Sequence, residues 1–293
     1  ILADTWTWAW TWWGFIVGIN VINLAIGIYF FVQSKNLDNQ NKDNYKRNMR
    51  IAGLIFIGVA FYRSIFVSNY LNQLAWFDTL LNSTLLIRSF ALFAELSFAY
   101  LIMRIILQVN KDFPIESSGK YKRQLDFLVN KAPLYFFVFL AIANVFAYGG
   151  SITKVHLLFA IEETFWGLGF LLITPVVLLQ SKRIFSDKSG TLKQFKVPLM
   201  FLAVFCVGYS FYSVFYHLPI EYWPEAINQL TIDNPEPAFQ FGFKALADTF
   251  TIVNVTRDYA TWGGLGFVIW HSGYFTLCGW MVLFFMRGPK IKE

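Results

Sequence analysis

Residues Asn82 to Leu107, NSTLLIRSFALFAELSFAYLIMRIIL, form an apolar run about as long as a bilayer is thick, with Arg88 and Glu95 inside it. A carboxylate near the middle of a helix in hydrocarbon costs at least ~2.5 kcal/mol on the insertion scale, so Glu95 is expected to turn away from lipid toward other helices and a partner. Arg88 precedes it by close to two helical turns, which places both side chains on one face. The rest of the chain is then read as the set of helices that hide this face.

Composition sets the class independently. Of the 293 residues, 56% are hydrophobic and 20% aromatic, and only 14% are charged, against roughly 25% charged in a soluble domain. The chain is therefore read as an all-α polytopic membrane protein, one domain over residues 1–293, with no room for a sizeable soluble unit. Its net charge of +6 is spread over short polar connections rather than gathered in a patch. That distribution reads as membrane topology and excludes nucleic acid as a partner. Cys206 and Cys278 lie inside apolar runs and read as small buried hydrophobes. The first residue is Ile1 rather than Met, as it would be after an upstream segment such as a processed signal.

Seven runs are long enough to span: Trp12–Gln33, Met49–Tyr70, the opening stretch, Pro133–Tyr148, His156–Leu179, Val197–Phe215 and Trp262–Met286. Trp6, Trp8, Trp10, Trp12 and Trp13 read as an interfacial anchor, and Asn20 and Asn23 as interhelical hydrogen bonds. Arg63 falls mid-run and calls for an acidic or carbonyl partner, whereas Arg104 reads as a residue snorkelling to the interface. GGSITK reads as a turn, and Pro175 as a kink. Connections carrying Lys42, Lys46, Arg47, Lys111, Lys122, Arg123, Lys182, Arg183, Lys188 and Lys193 alternate with connections almost free of basic residues. This places the N-terminus outside and the C-terminus, with Arg287, Lys290 and Lys292, in the cytoplasm. The connection 218–261 is acidic, with Glu221, Glu225, Asp233, Glu236, Asp248 and Asp258, and is expected to be extracytoplasmic. Its segments EYWPEAINQL and FKALADTFTIV read as amphipathic helices lying along the interface or folding back over the bundle.

Counting ~1.5 Å per residue from the outer helix ends, Arg88, Glu95, Glu162, Glu163, His217 and His271 fall between the outer boundary and mid-membrane, with Arg63 near the middle. Trp166 shares a helix face with Glu162. Convergence of these groups predicts a polar cavity opening outward beneath the acidic loop, with Tyr222, Trp223 and Phe243 available to an apolar ligand. In an enzyme acting on a lipid or other amphipathic substrate, Glu95 or Glu162 would be the base or a metal ligand, and His271 and His217 would move protons or bind metal. Arg63, Arg88, Glu163, His217 and Trp166 would bind the substrate. A transporter, channel or seven-helix receptor for a small solute would use the same groups without covalent chemistry. A structural or accessory subunit would use them as ion pairs, Arg63 with Glu95 and Arg88 with Glu162 or Glu163. No HExxH-like spacing specifies a metal, so cofactor identity stays open, and the last run lacks the buried lysine a retinal Schiff base requires. Expected partners are membrane lipids, a small amphipathic ligand, and further copies or other subunits of a membrane complex.

Overall fold

The computed structural model describes residues 2–41, 44–69, 74–114, 122–188, 192–231, 246–250 and 254–290, with the side chains of α1 described over 8–33. The helices are α1 Leu2–Asn41, α2 Asn44–Ile65, α3 Thr84–Asp112, α4 Lys122–Asn130, α5 Ala132–Thr153 and α6 His156–Ser186, followed by α7 Lys193–Thr231 and α8 Gly264–Met286. All but α4 are long and apolar enough to cross a membrane, seven spans among the described residues. In hydrocarbon every backbone N–H and C=O needs an internal partner, and uninterrupted helices supply it. The all-α, seven-span architecture stands as read from the sequence. Helices α1, α2, α3, α5, α6 and α7 pack in succession, and α8 closes the bundle against α1, α2 and α7.

Several boundaries differ from the sequence reading. Helix α2 stops at Ile65, so Arg63 occupies its last turn instead of mid-membrane. GGSIT belongs to α5, and the turn is reduced to Lys154 and Val155, with Lys154 at φ 59°. A β-carbon at Gly150 would come within 3.0 Å of the Phe159 ring, so this glycine permits the close approach of α5 to α6. Helix α6 runs through Pro175 without a break. Helix α7 does not end near Phe215 but passes through a π-helical stretch, Ser213–Tyr222, and returns to α geometry at Trp223–Thr231. EYWPEAINQL is thus the end of a spanning helix rather than a separate interfacial one. It is pinned to α6 because Trp223 Nε1 donates to Thr164 Oγ1 (3.2 Å) and the Gln229 side chain joins Lys154 O (3.0 Å) and His156 N (2.8 Å).

The two ends of the bundle are built differently. At the basic end, Asn110 donates through Nδ2 to Val129 O, Gln180 Nε2 reaches Asn110 Oδ1 (2.5 Å), and Arg183 donates to Phe113 O (3.0 Å) and Pro114 O (2.9 Å). The opposite end carries a small sheet of β1 Ser68–Asn69, β2 Leu74–Ala75 and β3 Asn254–Val255. Ser68 lies opposite Ala75 in the antiparallel pair, and Leu74 opposite Asn254 in the parallel pair. Strand β3 belongs to the acidic connection, so the described part of that connection folds back over the bundle. Thr249 O also accepts from Leu85 N (3.2 Å) at the start of α3. The carboxylate of Asp258 accepts from Thr261 N and Oγ1, both at 2.8 Å, and these bonds hold it below the usual carboxylate range. Asp233, Glu236 and Phe243, and most of FKALADTFTIV, lie outside the described residues.

The tryptophans of α1 do more than the anchor reading asked of them, since one of them is buried. Trp12 (8% exposed) and Trp76 (0%) are buried with ring centroids 5.5 Å apart, and Trp8, Trp262 and Phe267 complete an aromatic cap. Arg257 lies over Trp10 and donates to Trp76 O (2.8 Å). Trp12 and Trp76 therefore join the loop to the bundle, while Trp8, Trp10 and Trp13 stay half-buried and the Trp6 side chain lies outside the described residues. Asn20 and Asn23 are buried as expected, but Asn20 Nδ2 donates within its own helix to Ile16 O (2.9 Å).

Candidate functional site

Arg88 sits in the first turns of α3 with no exposed surface and points along its own helix toward Glu95. Its Nη1 and Nη2 each lie 3.2 Å from one Glu95 oxygen, the two-pronged geometry that a planar guanidinium offers a carboxylate. Nη2 also lies 3.0 Å from Asn144 Oδ1 on α5 and 3.3 Å from Glu162 Oε1 on α6. Asn144 is oriented for this by its other amide atom, which donates to Leu140 O (2.9 Å). Three helices thus meet at one guanidinium. Glu162 is 3% exposed and Glu95 8%. The expected outward-opening cavity is not what these side chains form, since Arg88 and both carboxylates are enclosed and face one another.

A second polar group continues from this centre toward the loop end. Glu163 follows Glu162 on α6. Tyr209 Oη donates to Glu163 Oε2 (3.0 Å), and His217 Nε2 lies 3.6 Å from the same oxygen. The other ring nitrogen, Nδ1, is 2.6 Å from Glu221 Oε2 and 2.9 Å from Tyr212 Oη. The Glu221 side chain is 39% exposed, so the series runs from a fully buried arginine to the surface of α7. The π-helical stretch supplies both His217 and Glu221. Such stretches turn side chains off the regular α face and are frequent at functional sites.

The structure separates the remaining predicted residues from this centre. Arg63 does not pair with Glu95; its guanidinium lies 5.6 Å and 5.7 Å from the Tyr274 and Phe275 ring centres, and it has no ion pair among the described residues. The physical reason is the early end of α2, which leaves the side chain against α8. His271 also stays apart, in an aromatic surround of Trp12 (6.0 Å), Phe267 (4.3 Å) and Phe275 (5.0 Å). Trp166 stacks on Phe170 (6.0 Å) and meets Tyr209 (6.3 Å), forming wall rather than contact. Among the described residues no group of three His, Cys, Asp or Glu side chains has a metal-binding arrangement.

Asn144, Tyr209 and Tyr212 join the site without having been singled out in the sequence, and Glu221, read there only as part of the acidic connection, joins it through His217. Asn144 had a signal, an amide within the apolar run FVFLAIANVFA. The tyrosines had none, because Tyr in a spanning helix is equally at home at a lipid interface. Tyr274, in the π-helical turn of α8 and 5.6 Å from the Arg63 guanidinium by its ring centre, has a buried hydroxyl without a hydrogen-bond partner among the described residues. Comparison with known protein families, with curated proteins and with solved structures finds no match.

Proposed function

We propose that this multi-pass membrane protein holds a proton-exchange site of the kind used in proton-coupled transport, reached from the extracytoplasmic side through Glu221, His217 and Glu163. The observation that carries the reading is His217, with a carboxylate at each ring nitrogen, Glu221 at 2.6 Å and Glu163 at 3.6 Å. An imidazole can accept a proton at one nitrogen and release one from the other. The longer distance lies just beyond a hydrogen bond and closes with a small rotation of the ring. At the inner end of the series, Arg88 touches two carboxyl groups, Glu95 and Glu162. One guanidinium balances one carboxylate, and in a low-dielectric interior the second is balanced by carrying a proton. The buried rings of Phe98, Phe136 and Phe170 and the side chain of Ile173 form an apolar core on the same helices, which supports access from one side at a time.

Chemistry on an amphipathic substrate is the second reading. It draws on Trp270, 47% exposed and stacked on Tyr212 (5.6 Å) beside His217, an aromatic approach from the lipid side. In that case Glu162 or Glu95 is the base, and His217 alone takes the proton-moving role that the sequence offered to both His217 and His271.

The test is infrared difference spectroscopy on the reconstituted chain, with pH stepped on the extracytoplasmic side. A protonated-carboxyl band that responds in the wild type, disappears in Glu162→Gln, and responds about a hundredfold more slowly in His217→Gln is the expected result. An unchanged rate in His217→Gln overturns the relay. Lipid that is chemically altered with wild-type protein but not with Glu162→Gln selects the enzyme instead.

A further inference from the structure

A separate feature lies at the basic end, on the face of α3 remote from Arg88. A half-open cleft of about 380 Å³ is lined by Tyr45 from α2 and by Arg104, Leu107, Gln108 and Lys111 from α3. The spacing of 104, 107, 108 and 111 sets these side chains along one stripe of the helix. The Arg104 guanidinium lies 5.5 Å from the Tyr45 ring centre and 5.9 Å from that of Tyr100, which holds the charge in place. Among the described residues its buried Nε has no hydrogen-bond partner, and neither Arg104 nor Lys111 has an ion pair. Gln108 donates to the neighbouring Asp112 (2.9 Å), and the Tyr45 hydroxyl to Pro289 O (3.4 Å). Two cations, one with an unused buried donor, thus line a concave site that also offers the apolar Leu107.

We infer that this cleft binds a phosphate-bearing anion, with the guanidinium of Arg104 and the ammonium of Lys111 as its ligands. Arginine donors match phosphate oxygens, and basic pockets between spanning helices bind anionic headgroups. Snorkelling alone, the reading the sequence suggested for Arg104, leaves the buried Nε and the cleft unexplained. A headgroup of an acidic lipid and a soluble phosphate share this chemistry, and the experiment separates them.

The purified full chain is placed in nanodiscs of phosphatidylcholine with a minor share of phosphatidylglycerol, and the lipid retained after release is counted by native mass spectrometry. Phosphatidylglycerol is expected to be enriched about tenfold over its share, falling to that share in Arg104→Gln and in Lys111→Gln. Lys122→Gln, an exposed lysine at the same end, should leave the enrichment unchanged. Phosphorus resonance of inorganic phosphate provides the second arm. Broadening by the wild type but not by Arg104→Gln, without lipid enrichment, assigns the site to a soluble phosphate. Helical circular dichroism and melting of each variant establish that it is folded. Folded variants that retain lipid and phosphate as the wild type does overturn the inference, as does an equal loss in Lys122→Gln.

Discussion

Arg88 is the residue on which the buried polar layer depends, because Glu95, Glu162 and Asn144 all direct an oxygen toward it. Its replacement by Ala leaves two carboxyl groups enclosed without a cation. Breaking a buried pair in this way costs about 3–5 kcal/mol, and Arg88→Ala should lose that much in denaturant unfolding from mixed micelles. Glu95→Gln should lose less, since the amide oxygen still accepts from the guanidinium and Glu162, by giving up its proton, can supply the balancing charge. Equal losses in the two variants would show that Arg88 is not the common partner. That Arg88 and Glu95 share one buried face was legible from two charges at helix-face spacing in an apolar run, but of the ion pairs read from the sequence only Arg88 with Glu162 forms among the described residues, and Glu95 pairs with Arg88 rather than with Arg63. Arg63 was not legible, because the apolar pattern continues past Ile65 into Val67 while the helix itself stops, and hydropathy carries no mark of that stop. His271 was misassigned for a related reason. Depth alone placed it in the layer, but depth says nothing of rotation about α8, which turns it toward Trp12 and Phe267.

At the scale of the element, α7 decides what the site contains. Its π-helical stretch surrounds Pro219, which has no N–H to donate, and continues the helix with i to i+5 spacing where the sequence suggested an end. The stretch packs on α6 through Gly167, where an added β-carbon would fall 2.5 Å from Ser213 Oγ and 3.4 Å from Leu218 Cδ1. Gly167→Ala should therefore push α7 from α6 and destabilise the bundle by about 1–3 kcal/mol, the usual cost of overfilling a packed interior. Removing the Ser213 hydroxyl opens that space, so Gly167→Ala with Ser213→Ala should recover most of the melting temperature lost by Gly167→Ala alone. A double variant as unstable as the single one would place the cause elsewhere. Neither the π geometry nor this contact leaves a periodic trace in the sequence, because i to i+5 bonding is a property of the packed backbone. The strands at the loop end were hidden likewise, since two residues are too few to show alternation.

For the whole molecule, the decisive quantity is the asymmetry of its two ends. The seven runs were readable from hydropathy and the basic connections from charge, because both follow from the lipid environment rather than from packing. In the fold, Lys122, Lys188 and Arg287 belong to connections at one end, while the sheet, the tryptophan cap and Asp258 lie at the other. The positive-inside rule then predicts a direction, with the basic end expected in the cytoplasm and Glu221 and His217 expected nearer the opposite side. This is testable without disturbing the core, since the native thiols, Cys206 and Cys278, are both buried and should stay silent toward a membrane-impermeant maleimide. Single cysteines at the exposed positions Lys122, Lys188 and Ala260 report the two ends. In sealed right-side-out vesicles, Ala260→Cys should react at once, whereas Lys122→Cys and Lys188→Cys should react only after the membrane is opened. Reaction of Lys122→Cys and Lys188→Cys from different sides would break the seven-span topology itself. Reaction of both from outside, with Ala260→Cys protected, would keep the topology and invert its direction. The proton path would then open to the cytoplasm, and the Arg104 cleft would face the outer leaflet.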